Sequence, residues 1–343
     1  ESAGTEMKLK RGGWEWHLED PAVLEPWVDR MEKLAETPLK RNGVRRVFRT
    51  EDAEHRGCFV KLERKKGILN RIRNRFFSKA EAEYESGRLL EACGIPCVEY
   101  LAWGRRGAES VLVSRALENS RSALEYWYSC ARFDGTEKER WLNAFFDLAF
   151  RFCRNNLCHS DFHAGNVLYR PESGEAVLVD VYGIRRKERL DEKDLRDLLH
   201  WLLPLRMDVS DEELIERLDR RGILRFEAEP FFREMVHLES LRVEHDWEKR
   251  RRKQILSGNS KFSRTEGRRE IRNALWFEPS PLPDESQLEV REMGTEEAEK
   301  IWLDSFHRQL LAEKLHEVPL IREKNGDKSR LFLLSGNKKS YFF

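Results

Sequence analysis

The sequence predicts an α+β chain with two lobes, in which a small antiparallel β-sheet comes first and a helical lobe follows. Two observations carry this prediction. Short strand-like runs surround a single helix up to Ala116, whereas long amphipathic helices dominate beyond Ser122. The composition agrees with a folded protein, because 40% of the 343 residues are hydrophobic and 36% are charged. A chain of this length can bury a large core.

The balance of charges and the apolar pattern exclude several classes of protein. The 63 basic side chains face 62 acidic ones, so no global field attracts nucleic acid, which is not an expected partner. Neither a transmembrane helix nor a signal peptide is indicated, and a soluble, cytoplasmic protein is expected. The six cysteines lack the paired spacing of a zinc site and are expected to be reduced.

The first lobe is predicted at residues 43–116, after an N-terminal extension of residues 1–42. Short runs that mix apolar and polar residues, separated by turn residues, indicate four mostly antiparallel strands. After the second strand and a basic connector, apolar residues recur at helical spacing until Gly94, which indicates one helix. The predicted elements are the strands Val44–Thr50 and Gly57–Leu62, the helix Ala80–Cys93, and the strands Val98–Trp103 and Ser110–Ala116.

The second lobe is predicted at residues 117–256, and a C-terminal extension of unknown role follows at residues 257–343. Within this extension, Thr295–Leu334 loosely repeats the order of Ala80–Val113, so this segment is either a degenerate second small lobe or a plain helix and hairpin. A long helix with an aromatic stripe and a short hairpin precede the other helices. The predicted elements are the helix Thr136–Asn156, the strands Val167–Tyr169 and Ala176–Val179, and the helices Asp191–Leu203, Asp211–Arg220 and Glu229–Arg250.

The stretch His159-Ser160-Asp161-Phe162-His163-Ala164-Gly165-Asn166 carries the strongest chemical signal. Asn166 follows Asp161 by five residues, which is the spacing of the kinase catalytic loop. There the Asp orients the acceptor hydroxyl and the Asn binds a metal ion. Asp180 ends an apolar strand and precedes Val-Tyr-Gly, as in the kinase Asp-Phe-Gly element. Each residue alone could be a turn or cap residue, but the ordered set predicts Asp161 as catalytic and Asn166 and Asp180 as Mg²⁺ ligands.

Lys61 is predicted to contact the phosphates of ATP. Its strand setting, Phe59-Val60-Lys61-Leu62, resembles the Val-Ala-Ile-Lys element of kinases, whose Lys contacts two phosphates and pairs with a helical Glu. The helix that follows offers Glu81, Glu83 and Glu85 as partners. We predict Glu83, because its neighbours two residues away on either side point in other directions, toward solvent. ATP and Mg²⁺ are therefore the expected cofactors.

A family resemblance rests on three segments: Ser78–Leu90 with Gly94-Ile95-Pro96, His159–Asn166, and Val179–Arg186 with Lys193-Asp194-Leu195. They resemble the corresponding segments of the bacterial lipopolysaccharide core kinases, the heptose and Kdo kinases related to the WaaP and InaA proteins. The resemblance implies a protein-kinase-like fold over about residues 43 to 255. It also implies ATP-dependent phosphorylation of a sugar hydroxyl, of heptose or Kdo, on the lipopolysaccharide core. Ser160 stands where the family usually has Arg, and Gly183 stands where Arg is common.

Two basic tracts favour an anionic acceptor, either the lipopolysaccharide core or a lipid A-linked sugar. Such side chains could also contact headgroups, which leaves open a peripheral position at the inner membrane. A cationic aminoglycoside would require an acidic cleft instead. The first tract could equally be solvated surface charge, and Arg250–Lys253 is more typical of a solvated helix end. The tracts comprise Arg64, Lys65, Lys66, Arg71, Arg73 and Arg75, and then Arg185, Arg186 and Lys187.

Three other functions remain open from the sequence. An atypical protein kinase would use the same catalytic residues, and the His-x-Asp-x-His-x-Gly-Asn pattern also occurs in aminoglycoside and choline kinases. The third alternative is a kinase-fold scaffold without catalytic activity, which would not be an enzyme. The presence of every expected metal and acceptor residue argues against the scaffold.

Overall fold

The computed structural model describes residues 7–64, 77–131, 134–251, 262–264, 271–273, 289–311, 317–325 and 328–335. The chain divides into two compact units, and all five predicted site residues belong to the first of them. The α+β class is confirmed, since an antiparallel sheet in the N-terminal part is followed by a largely helical part. The lobe boundaries at residues 116 and 256 stay predictions. The units are Glu1–Ala123 with Asp147–Leu198, and Leu124–Phe146 with Leu199–Phe343.

The first unit is built on a seven-stranded antiparallel sheet. Its strands are β1 Met7–Arg11, β2 Trp14–Leu18, β3 Lys40–Asn42, β4 Arg45–Glu51, β5 Gly57–Arg64, β6 Tyr100–Arg106 and β7 Glu109–Arg115. They lie in the order β1-β2-β6-β7-β5-β4-β3. The four predicted strands correspond to β4 to β7, with shifts of at most three residues at their ends. The hairpin β1–β2 pairs with β6, so the segment that we set apart as an N-terminal extension belongs to the same sheet.

One face of this sheet packs on a tryptophan-rich core. Side chains alternate between the two faces of a strand, and on β5 the buried ones are Cys58, Val60 and Leu62. They join a cluster that includes Trp16 and Trp27, whose rings meet edge to face at 6.0 Å. Lys61 has the opposite parity on β5 and therefore lies on the other face of the sheet.

The helix α1, Lys79–Ala92, packs against β6 and β7. The hydroxyl of Ser78 caps its N-terminus by accepting the N–H of Glu81 at 3.4 Å. Gly87 in its middle allows a close approach, because a Cβ there would lie 2.2 Å from Cδ2 of Tyr100. Glycine inside a helix costs about 1 kcal/mol relative to alanine, and here the packing of the Tyr100 ring offsets that cost.

Short strands flank the predicted catalytic loop, which belongs to the same unit. The strands are β8 Arg121–Ser122, β9 Leu157–Cys158, β10 Val167–Arg170, β11 Glu175–Leu178 and β12 Arg185–Arg186. The predicted hairpin is the pair β10–β11, and β8 adds a third strand to it. The backbone N–H of Leu178 donates to the carbonyl of Pro96, and the N–H of Val98 donates to the carbonyl of Leu178, both at 3.0 Å. The hairpin is thereby attached to the chain that leaves α1.

The longer helices follow the predicted pattern with one correction. They are α2 Gly135–Arg154, α3 Glu192–Leu199, α4 Asp211–Arg221, α5 Ala228–Asp246 and α6 Thr295–Leu310. The single helix predicted over Asp191–Leu203 was wrong, because α3 ends at Leu199 and a separate turn of helix spans Leu202–Leu205. Pro204 explains the break: its ring clashes with the carbonyl four residues earlier and it cannot donate the helical hydrogen bond.

The second unit has an aromatic core and a small C-terminal sheet. Trp141 stacks on Phe145 at 3.9 Å, and Phe145 contacts Trp201 at 5.0 Å. The C-terminal strands β15 Glu289–Gly294, β16 Glu317–Asn325 and β17 Lys328–Ser335 lie in the order β15-β17-β16, and β13 Phe262–Arg264 pairs with β14 Ile271–Asn273. The helix and hairpin considered for this extension are thus accompanied by a further strand, β15, before the helix.

Two smaller expectations concern membranes and cysteines. Within the described ranges, no helix combines the length and the apolar character that crossing a bilayer requires. The cysteines are free thiols, as expected.

Asp52 ties together the turn between β4 and β5. It is 2% exposed, and its carboxylate accepts the backbone N–H groups of Glu54 and Arg56 at 2.9 and 3.0 Å. It also accepts hydrogen bonds from the guanidinium groups of Arg56 and Arg115 at 3.0 and 2.7 Å. Burial alone would raise the pKa of Asp52, but these bonds outweigh it and lower the pKa from 3.8 to about 2.

We expect Asp52→Asn to lower the free energy of unfolding by about 2 kcal/mol at neutral pH, from the depressed pKa. A depressed pKa stabilises the fold above the unfolded value near pH 4 and ceases to do so as the pH falls toward 2. Urea unfolding at several pH values should therefore show a difference that shrinks in this window. Asp29→Asn, at an exposed ion pair with Arg11, is the control and should change little. A pH-independent difference would contradict the assignment.

Candidate active site

Lys61 lies between two carboxylates on the sheet face opposite the cluster that contains Trp16 and Trp27. Its ammonium donates to Oε1 of Glu83 at 2.5 Å and also contacts Oδ1 of Asp180. Glu83 is 2% exposed, whereas Glu81 is half-buried and Glu85 is exposed. Of the three candidate glutamates, the structure therefore pairs Glu83 with Lys61.

Asp180 follows β11 in an unusual backbone conformation. Its φ is +55°, in the left-handed region that Asp tolerates better than most residues. Such conformations cost free energy and concentrate at functional sites. Burial alone would raise the pKa of Asp180, but the charge and hydrogen bond of Lys61 outweigh it, so the pKa lies below its usual value. The carboxylate is therefore ionised at neutral pH.

The predicted catalytic loop, His159–Asn166, is held in shape by hydrogen bonds among its own residues. The backbone N–H of Asp161 donates to Nδ1 of His159 at 3.1 Å. His159 is 1% exposed, and burial lowers its pKa to about 4, so the ring is neutral and can accept this bond. The Asp161 side chain is 72% exposed, with Nε2 of His163 at 3.6 Å from its Oδ1. Its carboxylate is thus open to an incoming hydroxyl.

Asn166 connects this loop to the strand that leads to Asp180. Its side-chain nitrogen donates to the backbone carbonyl of Asp161 at 3.1 Å and approaches the Asp161 carboxylate at 3.4 Å. The backbone carbonyl of Asn166 accepts the backbone N–H of Val179 at 2.9 Å. Because the amide nitrogen is directed to Asp161, the amide oxygen is the atom left for a metal ion.

Asp161, Asn166 and Asp180 line one cavity of about 760 Å³. Carboxylate and amide oxygens are the donors that Mg²⁺ prefers, and this ion usually completes its shell with phosphate oxygens and water. In the described part of the chain, no cluster of three His, Cys, Asp or Glu side chains is arranged to hold a metal alone. Asp180 and Asn166 therefore fit a metal that arrives with a nucleotide better than a resident structural ion.

Tyr100 is a site residue that the sequence reasoning missed. Its hydroxyl donates to Oε1 of Glu83 at 3.3 Å and accepts the backbone N–H of Val181, the residue after Asp180. Burial and the neighbouring Glu83 raise the pKa of Tyr100 well above its usual value, so the hydroxyl keeps its proton. Tyr100 thereby links the Glu83 carboxylate to the backbone that follows Asp180. The available signal was Gly87, a helix-interior glycine that gives a neighbouring ring room.

We expect Tyr100→Phe to reduce kcat/KM for the nucleotide about tenfold. The change leaves Glu83 and the Val181 N–H without this partner, at a cost of about 1–3 kcal/mol. Steady-state kinetics with varied nucleotide measure the effect. Tyr126→Phe is the matched control, because Tyr126 donates to Glu137 at 2.7 Å and neither residue lines the cavity. Equal kinetics for both variants would exclude a positioning role for Tyr100.

Of the two predicted basic tracts, only the second is described by the structure in full. Arg185 lines the cavity, whereas Arg186 donates to the sulfur of Cys93 at 2.8 Å. Lys187 is held by both carboxylate oxygens of Asp194 at 2.7 Å, so its charge already has a partner within the protein. Beyond Arg64, which contacts Glu32, the first tract falls outside the described residues, as do the side chains of Arg250–Lys253.

The chain was compared with models of protein families, with curated proteins and with solved structures. Residues 27–218 match the model of the lipopolysaccharide kinase (Kdo/WaaP) family, and this range contains all five predicted site residues. No curated protein matches the chain. A structure of WaaP in complex with acyl carrier protein is 20% identical, with 66% of this chain and 93% of that chain covered and a TM-score of 0.47. An aminoglycoside-3'-phosphotransferase of type VIII is 17% identical, with 61% and 97% covered and a TM-score of 0.39.

Proposed function

The chain belongs to the lipopolysaccharide kinase (Kdo/WaaP) family, and from this premise we propose that it transfers the γ-phosphoryl group of ATP to a sugar hydroxyl. The acceptor in this proposal is a heptose or Kdo residue of the lipopolysaccharide core, linked to lipid A. The reaction takes place at the cytoplasmic face of the inner membrane, where the protein acts from the aqueous side.

The observation that carries the proposal is the convergence of Asp161, Asn166 and Asp180 on one cavity, beside the Lys61–Glu83 pair. Phosphoryl transfer requires a group that orients the hydroxyl, oxygen ligands for Mg²⁺ and a cation for the phosphates that stay behind. These residues supply all three. Few other reactions need the three together in one cavity.

Each residue has a defined role in the proposed reaction. Lys61, held by Glu83, exchanges its contact with Asp180 for the α and β phosphates of ATP. Asp180 and Asn166 hold Mg²⁺, which neutralises phosphate charge when it is bound. Asp161 accepts a hydrogen bond from the acceptor hydroxyl and orients its oxygen toward the γ-phosphate.

Transfer of label from ATP tests the proposal and its alternatives. The protein is incubated with γ-labelled ATP, Mg²⁺ and one of three acceptors: dephosphorylated core oligosaccharide, a mixture of proteins or an aminoglycoside. We expect label in the oligosaccharide. Label in protein or in the aminoglycoside would replace this proposal by one of the other kinase functions. No Mg²⁺-dependent nucleotide binding at all would favour a scaffold.

A further inference from the structure

The cavity beside Asp161 is lined by residues of α1 and by residues of the chain after Asp180. One wall is a single face of α1, and the other wall is the segment 182–185. Both walls belong to the first unit, and both are continuous with the Asp161 side chain. An acceptor whose hydroxyl reaches Asp161 therefore has space for the rest of its sugar ring along these walls.

Each wall contributes one cation that has no carboxylate closer than 4.0 Å among the described residues, although the charge of Lys79 helps to lower the pKa of Asp180. Lys79 has its nearest carboxylate, Oε1 of Glu63, at 4.0 Å, and Arg45 occupies the same oxygen at 2.9 Å. Lys79 also stands in the first turn of α1, where a positive charge opposes the helix dipole and does not favour folding. For the exposed Arg185 side chain, no ion pair forms within the described residues.

Tyr182 lines the same cavity as these cations and is 48% exposed. The ammonium of Lys79 stands 4.9 Å from the centre of its ring. Val181 is fully buried and takes the position directly after Asp180, so the aromatic ring one residue later is presented to the cavity. An exposed aromatic ring offers an apolar surface and a polar tip, which suits the C–H face and hydroxyls of a sugar ring.

Resting on the proposed function, we infer that Lys79 and Arg185 form a subsite for an anionic group, a phosphate or a carboxylate, on the acceptor sugar, with Tyr182 beneath its ring. Cations that face a cavity pair with anions through charge-assisted hydrogen bonds, and the same charges reject a cationic acceptor. Ser160, which replaces the usual Arg of the family motif, lines the cavity without charge. Arg45 also lines the cavity but is paired with Glu63 at 2.9 Å, and Glu85 adds a negative charge to the α1 wall. Among the described residues, Lys79 and Arg185 are therefore the cavity cations with no carboxylate closer than 4.0 Å.

Paired acceptors test the subsite. Core oligosaccharide is used intact, after removal of its phosphates, and after reduction of its carboxylates, so the two sources of negative charge are separated. We expect the wild-type protein to lose affinity for one of the two altered acceptors. Lys79→Met and Arg185→Met should each raise KM for the intact acceptor about tenfold, close to 1.4 kcal/mol, and leave KM for the altered acceptor nearly unchanged.

Arg186→Met is the matched control, because Arg186 adjoins Arg185 in sequence but does not line the cavity. Equal KM values for all three acceptors, or equal effects of Arg185→Met and Arg186→Met, would overturn the subsite while leaving transfer to sugar intact. Absence of transfer to every core acceptor would overturn the proposed function instead. In that case, calorimetry with inorganic phosphate and with free Kdo tests the subsite separately. The Lys79→Met/Arg185→Met double variant should lose the binding that the wild-type protein shows. Unchanged binding of both ligands by the double variant would overturn the subsite.

Discussion

Replacement of Asp161 by Asn is expected to lower kcat about 10²- to 10⁴-fold while nucleotide affinity stays nearly unchanged. Asp161 is the exposed carboxylate of the loop, and the amide that replaces it cannot accept the hydroxyl proton. Asp161 makes no contact with Lys61, so the predicted phosphate site is not disturbed. Turnover with saturating ATP and acceptor measures the first quantity, and nucleotide titration measures the second.

Asp197→Asn supplies the control for this experiment. Asp197 pairs with Lys193 on α3, and neither residue lines the cavity. This variant should retain wild-type turnover. Near-normal turnover of Asp161→Asn would remove the catalytic assignment, and an equal loss of nucleotide binding would show a structural defect.

Replacement of Asp180 by Asn is expected to abolish the effect of Mg²⁺ on nucleotide affinity and to lower turnover about 10³-fold or more. The lowered pKa of Asp180 keeps its carboxylate charged at neutral pH, and an amide of the same size removes that charge. A metal ion that bridges phosphates contributes several kcal/mol to the stabilisation of the transition state. Nucleotide binding with and without Mg²⁺, followed by turnover, checks both expectations.

The comparison with Tyr100→Phe separates charge from positioning. Tyr100 contacts Glu83 and the backbone after Asp180, so its loss alters the placement of Asp180 but not its charge. Tyr100→Phe should therefore retain a Mg²⁺ effect that Asp180→Asn lacks. A Mg²⁺ effect of wild-type size in Asp180→Asn would contradict the role of Asp180 as a ligand.

Local patterns in the sequence carry most of the information about the site. Helical periodicity distinguished Glu83 from Glu81 and Glu85, because side chains two residues apart on a helix cannot share one direction. The spacing of Asp161 and Asn166 describes a single loop whose hydrogen bonds are formed among its own residues. Such local relations are readable without a structure. The catalytic roles of these residues stay predictions until the variants are measured.

Non-local contacts account for what the sequence did not reveal. Tyr100 reaches Glu83 only because β6 packs against α1 at Gly87, and no local pattern connects these residues. The hairpin β1–β2 likewise gains its place by pairing with β6, far along the chain. The early end of α3 is a different case, since Pro204 was visible and its effect on the preceding turn follows from its ring alone.

We propose that this protein adds a phosphate to the lipopolysaccharide core. Mass spectrometry of core oligosaccharide tests it most directly, with material from cells that contain the protein, cells that lack it, and cells that contain only the Asp161→Asn variant. We predict that the core from the first cells carries one phosphate more than the core from the other two. The same phosphate content in all three samples would contradict the claim.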